Sequence, residues 1–417
     1  MILRSVILLV AFCSLANQAN GSPATNTNKQ LVVYWGQDSA GSLRLTLEKG
    51  LDYYCKNYDY DIIPVAFLNV FFDTANKDKF PGINLANHCN TTFKGYPTLL
   101  NCTDIGQQIQ TCQKSGKKIL LSLGGAAGLY YFSSSSQATQ FASTVWKLFL
   151  DGTSKIRPFH NAVLDGVDLD IEGGTTTYYA DFVKAIRQLM NTDKNRKYFI
   201  TGAPQCPYPD AIMGPGGTNM VLTTVPQEFD YLFVQFYNNY CSIDKTKFFN
   251  QSIASWFNFA MTTKQKYGKG PLIFIGLPAS PRVNGYQSPD VVRKAWQTVK
   301  TNESLGGFML WDASFDMNNV ISGQHYSTII RTIMNDQYKS IHHSVTDFFY
   351  VIRVRGDGNF FTRVHVSHAL LLGLFLVVFV LLLAVMMRMS RHEKLLSVKS
   401  QEVKVSGDKK YVPLGFY

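Results

Sequence analysis

Three acids alternate with three aliphatic residues in one short run, Asp168, Asp170 and Glu172 against Val167, Leu169 and Ile171. Successive side chains of a strand point to opposite faces, so this spacing places the acids on one face and the aliphatics on the other. Carboxylates held so close repel one another, and at least one pKa is expected to rise. A carboxylic acid that keeps its proton near neutral pH is what general-acid catalysis requires. The alternation is also compatible with a calcium site or a structural acidic cluster, although calcium ligands usually come from a loop that wraps the ion. No C-x-x-C pair or histidine cluster has the spacing of a metal site, so neither a metal nor a cofactor is expected.

The elements that must position these acids recur along the chain. Apolar, β-branched runs occur at 31–36, 62–71, 117–125, 166–172, 198–204, 229–238, 272–280 and 306–316, each ending in a small or polar residue. Helix-compatible stretches at 104–115, 137–150, 178–191, 251–267 and 289–301 lie between most of them. Near-continuous apolar strands alternating with helices indicate a parallel sheet covered on both faces. Eight such runs point to an α/β chain folded as a (β/α)8 TIM barrel, with an open doubly wound sheet as the rival. In a barrel the carboxyl ends of the strands line the active site. Here they carry Tyr34, Asp168, Asp170, Glu172, Gln205, Gln235, Tyr237, Asn238 and Trp311.

The segment DGVDLDIEGG resembles the active-site signature of family 18 glycoside hydrolases. LVVYWGQDSAGS, LLSLGGAAG, APQCPYPD, VQFYNNYC, GLPAS and GGFMLWDASFD extend the resemblance, in collinear order, to the class III (hevamine-like) chitinases of plants and fungi. The resemblance implies hydrolysis of β-1,4-linked N-acetylglucosamine polymers by a substrate-assisted retaining mechanism, with chitin or chito-oligosaccharides as partner and no cofactor. It implies Glu172 as the proton donor, Asp170 orienting the substrate acetamide, and Asp168 tuning Asp170 by sharing a proton. Tyr237 would hydrogen-bond the acetamide oxygen. Tyr34, Gln235 and Asn238 would contact substrate, and Trp311 would form the floor under the reacting sugar. It further implies disulfides Cys55–Cys112, Cys89–Cys102 and Cys206–Cys241. Some members of the family have lost the strand-end acid and survive as lectins or inhibitors; Glu172 is present here. A catalytically silent glycan-binding membrane receptor, and an endo-β-N-acetylglucosaminidase acting on glycoproteins, are the alternatives.

The two ends of the 417-residue chain bear on its compartment. Residues 1–24 read as a secretory signal peptide, with an uncleaved anchor as the alternative. The barrel is expected over 25–335. Residues 336–368 form a juxtamembrane segment in which FFYVIRV and FFTRVHV flank RGDGN in a hairpin-like pattern. Residues 369–387 are nineteen uncharged residues, long enough for a transmembrane helix. The tail 388–417 holds 7 basic and 3 acidic residues, which puts it in the cytoplasm and makes this a single-pass type I membrane protein of the secretory pathway. Six cysteines lie on the lumenal side, an even number that suits an oxidising compartment. Asn90, Asn250 and Asn302 begin glycosylation acceptor sequences; that at Asn101 is compromised by the neighbouring Cys102. The 40 basic residues exceed the 29 acidic ones partly through the tail, and no nucleic-acid module is visible, so no nucleic-acid role is expected. Nothing suggests an interface, and a monomer is expected.

Overall fold

The computed structural model describes residues 29–338 and the two strands Tyr350–Ile352 and Val364–Val366. Eight parallel strands close into a barrel. They are β1 (Gln30–Val33), β2 (Ile62–Val70), β3 (Lys118–Gly125), β4 (Gly166–Ile171), β5 (Phe199–Gly202), β6 (Tyr231–Gln235), β7 (Leu272–Pro278) and β8 (Leu305–Trp311). Each strand pairs with its neighbour in sequence, β1 pairs with β8, and the ring closes where Val32 meets Ile62. The open-sheet alternative is thereby excluded.

Helices cover the outside. They are α1 (Leu51–Asn57), α2 (Thr103–Lys114), α3 (Ser135–Phe149), α4 (Tyr179–Met190), α5 (Thr246–Tyr267), α6 (Pro289–Val299) and α7 (Tyr326–Met334). In α4 the buried residues Phe182, Val183, Ile186 and Met190 recur at helical spacing, so one face packs on the barrel. Between β5 and β6 no full helix forms; the short helix Val221–Thr224 and the turn Pro226–Glu228 replace it. This connection holds Pro204, Pro207, Pro209 and Pro215, which lack the amide hydrogen that a helix interior needs. The last apolar run, 306–316, is strand only to Trp311. Asp312 then caps a helix over Ala313–Asn318, its side chain accepting from the Phe315 amide.

Large apolar side chains plug the lower barrel, among them Val32, Ile62, Leu120, Phe199, Phe233 and Phe274. Gly306 makes room for one of them, since a Cβ there would lie 2.1 Å from the Phe274 ring. With the lower layers apolar, polar inward-facing residues are left for the carboxyl end. All three disulfides form as the resemblance implied, with Cα separations of 5.3 Å for Cys55–Cys112, 5.9 Å for Cys89–Cys102 and 5.9 Å for Cys206–Cys241. Asn90 and Asn250 are exposed and Asn302 is half-buried.

Residues beyond the barrel belong to a second unit, Ile341–Tyr417. There the expected hairpin strands pair antiparallel, Tyr350 with Val366 and Ile352 with Val364. The hairpin turn, the apolar stretch 369–387, the basic tail and the signal segment 1–24 lie outside the described residues. Among the described residues no helix is long and apolar enough to cross a membrane.

Candidate active site

The strand-four acids sit at three depths. Val167, Leu169 and Ile171 are buried on the other face of β4, as period two requires. Asp168 is fully buried and does not reach the cleft. Its pairing register sets Ser122 of β3 and Thr201 of β5 directly beside it. Thr201 donates to Oδ1 at 2.6 Å, while Ser122 and Tyr34 donate to Oδ2 at 2.7 and 2.8 Å. Burial raises the Asp168 pKa against the lowering effect of these three hydroxyls.

Asp170, 3% exposed, opens onto the cleft and accepts a hydrogen bond from Gln235 Nε2 at 3.1 Å. Its pKa lies well above the carboxylate range, through burial first and then through the charges of Glu172 and Asp168. Asp168 accepts its hydrogen bonds from hydroxyls, and Asp170 accepts one from Gln235. Desolvation, more than mutual repulsion, is the leading cause of the raised values.

Glu172 follows the strand and is half-buried at the cleft surface. Gln205 Nε2 lies 3.4 Å from Oε2. Burial raises the Glu172 pKa and the charge of Asp210 adds to this, while the amides of Gln205 and Gln235 oppose it. The result is an acid that tends to hold its proton yet faces open space.

The cleft encloses about 320 Å³, within the range of small-ligand sites. Tyr34, Gln235, Tyr237, Asn238 and Trp311 all line it, as expected. Trp311 stacks on Phe67 at 5.9 Å between centroids with planes 15° apart, leaving an aromatic floor. Tyr237 is buried in the barrel mouth, and its hydroxyl stays protonated because burial and the charges of Asp170 and Glu172 oppose ionisation. Tyr34 is 1% exposed and its hydroxyl donates to Asp168, so it holds the acid and presents its ring to the cleft.

Sequence reasoning passed over Ser122 and Thr201, and it left Gln205 among the strand ends without a role. The serine of LLSLGG and the threonine of FITG were visible, but their proximity to Asp168 depends on strand register. Gln37, Asn69 and Asn84 also line the cleft, the first fixed by its bonds to the carbonyls of Ala66 at 2.8 Å and Asn84 at 3.0 Å. Among the described residues no group of His, Cys, Asp and Glu is arranged to hold a metal ion.

The family model of the glycosyl hydrolases family 18 matches residues 30–284. The chain belongs to this family. This family 18 chain is 39% identical over 315 residues to Chitinase 2 of Candida albicans, covering 75% of this chain and 49% of that protein. It is 34% identical over 341 residues to the Acidic endochitinase of Arabidopsis thaliana, covering 79% of this chain and 99% of that protein. It spans 49% to 62% of the length of the fungal relatives it matches. Among solved structures it is similar to the ICChI chitinase from Ipomoea carnea, at 30% identity and a TM-score of 0.58 over 73% of this chain and 99% of that one. It is also similar to the xylanase–α-amylase inhibitor protein XAIP-I, at 27% identity and a TM-score of 0.56 over 74% of this chain and 99% of that one.

Proposed function

We propose that this family 18 chain is an endochitinase, cleaving β-1,4-linked N-acetylglucosamine polymers with retention by substrate-assisted catalysis. The observation that carries the reading is the pairing of two unlike carboxyls: Glu172 at the open surface of the cleft, and Asp170 buried beneath it, each with its pKa raised first of all by burial. Chitinase similarity at 39% identity supports the substrate. Similarity of fold to an inhibitor protein means that the barrel alone does not make an enzyme. The acid does.

Glu172 donates its proton to the glycosidic oxygen as the bond breaks. The developing positive charge at the anomeric carbon is met by the substrate's own acetamide oxygen. Asp170 orients that acetamide and stabilises charge on its nitrogen, and Tyr237 donates to the acetamide oxygen. Trp311 underlies the sugar. Water then opens the oxazolinium ion, with Glu172 now acting as base.

Glu172→Gln keeps the shape and removes the transferable proton. Hydrolysis of fluorogenic chito-oligosaccharides is expected to fall by about 10²- to 10⁴-fold. A variant as active as the wild type sinks the mechanism, and a folded wild type without activity favours the glycan-binding alternative.

The reading extends to location. The apolar stretch 369–387 and the basic residues after it support a single-pass protein with its barrel on the lumenal or extracellular side. Such a protein stays with membranes in high salt and leaves them in detergent; release by salt alone refutes the anchor.

A further inference from the structure

The turn that leaves β1 brings Gln37 to the cleft in a backbone conformation that most residues avoid. Gly36 sits at φ 116° and Asp38 at φ 46°, so both neighbours of Gln37 have positive φ. At the first position only glycine fits, since a Cβ there would lie 2.6 Å from the Ala66 carbonyl oxygen. At the second, aspartate adopts the left-handed region more readily than most residues, but still at a cost. Something outside the turn has to hold it.

Glu48 does so from a buried position. Its Oε2 accepts from the amides of Gly36 at 2.9 Å and Asp38 at 3.1 Å, the two residues on either side of Gln37. Backbone amides of a left-handed turn that converge on one anion form a nest, filled here by the chain's own carboxyl group. The tie is reciprocal, because the Glu48 amide donates to Asp38 Oδ1 at 2.7 Å. The same Oε2 lies 2.8 Å from His88 Nε2, and the His88 ring packs on Trp35 at 4.4 Å between centroids. Four residues before His88, Asn84 lines the cleft. One oxygen atom therefore joins two segments of the cleft wall. Burial pushes the Glu48 pKa up to about 7, against the hydrogen bond from His88. In either protonation state Oε2 can accept from the two amides.

What the clamp holds is an amide at the cleft surface. Gln37 Nε2 is committed to the wall, donating to the carbonyls of Ala66 at 2.8 Å and Asn84 at 3.0 Å. Among the described residues no donor reaches Gln37 Oε1, which is left as an acceptor for a substrate hydrogen. Glu48 itself does not line the cleft, and its partners are the turn and His88, not Asp170, Glu172 or Tyr237. Its loss should therefore be felt in binding and not in proton transfer.

We propose that Glu48 is a positioning residue for this reaction: with His88 it clamps the turn 36–38 to the loop 84–88 and so presents Gln37 to the substrate. The inference rests on the endochitinase reading and adds to it a residue outside the cleft that governs how tightly the chain is bound.

The test measures kcat and KM on chitohexaose for the full-length chain in detergent. Gln37→Ala and Glu48→Ala are each expected to raise KM by about tenfold, as the loss of one hydrogen bond does, and to change kcat by less than about twofold. The double variant is expected to match Gln37→Ala, because a clamp adds nothing once the side chain it positions is gone. Glu48→Gln keeps an oxygen for the two amides and is expected to return KM close to the wild-type value. A merely structural role predicts otherwise. Losses that add in the double variant, a fall in kcat with KM unchanged, or an unchanged KM in Glu48→Ala each overturn the proposal. If Glu48→Ala does not fold, His88→Leu decides, since it cuts only the tie to the loop 84–88. A KM raised by about threefold supports the clamp and an unchanged one overturns it. A wild type that hydrolyses nothing sinks the endochitinase reading instead. Chitohexaose binding by calorimetry then tests the clamp, weaker binding in both Gln37→Ala and Glu48→Ala supporting it and equal binding overturning it.

Discussion

Replacing Thr201 by valine isolates the effect of one hydroxyl on a buried charge. Thr201 is fully buried and donates the hydrogen bond that Asp168 Oδ1 receives, at 2.6 Å; the other two hydroxyls serve Oδ2. Valine has nearly the same shape, so little cavity is created and the loss is chiefly that of the donor. A hydrogen bond to an ionised group contributes about 1.5–3 kcal/mol, and an unsatisfied buried carboxylate oxygen puts the cost near the middle of that range.

The cost depends on pH with a definite sign. Burial raises the folded Asp168 pKa above its unfolded value, so the stability linked to protonation is fully present below the ordinary carboxylate range and is lost as pH rises through the folded pKa. Removing Thr201 raises the folded pKa further, because this hydroxyl opposes the shift. The variant should therefore be destabilised by about 2 kcal/mol in neutral and alkaline solution, and the deficit should shrink in acid, where Asp168 is protonated in both proteins. At ~2–4 °C per kcal/mol, the melting temperature is expected to drop by some 4–8 °C at pH 8 and by clearly less at pH 4. Thermal unfolding followed by circular dichroism at both pH values reads this directly. A drop of equal size at the two values would refute the argument, since a packing defect does not titrate.

The proton donor makes a second pH prediction. Glu172 must be protonated to act, so kcat/KM declines as pH rises through its raised pKa, and Gln205 opposes that rise. Gln205→Leu is expected to move the alkaline limb of the profile to higher pH; a limb that stays or moves to lower pH contradicts the assignment. The Cys206–Cys241 bridge spans 35 residues, so replacing both cysteines by serine should cost about 3.5–4 kcal/mol by loop-closure entropy. Because the bridge ties the segment bearing Gln205, which reaches Glu172, to the loop that follows Tyr237, kcat/KM for chito-oligosaccharides should fall as well; melting curves and steady-state kinetics check the two effects separately.

Period two along DGVDLDIE was enough to put three acids on one face of a strand, because side-chain alternation is a local property of extended backbone. Eight apolar runs with helical spacers similarly announced a parallel sheet, since each such run needs cover on both faces, and their number pointed to a barrel while leaving an open sheet as the rival. The disulfide pairs came from resemblance alone and were found as implied. Spacing would have left fifteen connectivities for six cysteines.

What lay beyond the sequence depends on register and on distance across the barrel. That Ser122 and Thr201 flank Asp168 follows from which residue of β3 and β5 faces which residue of β4. That Tyr34 turns its hydroxyl inward to an acid 134 residues away, leaving only its ring for a substrate, requires the closed ring of strands. The same closure sets Gln235 on Asp170 and Gln205 on Glu172, and so gives two neighbouring carboxyls different depths and partners. A pKa is fixed by burial and by neighbours, neither of which exists until the chain is folded. The sequence by itself determined which groups could do the chemistry; the tertiary structure decided which of them faces the open cleft and which is buried beneath it.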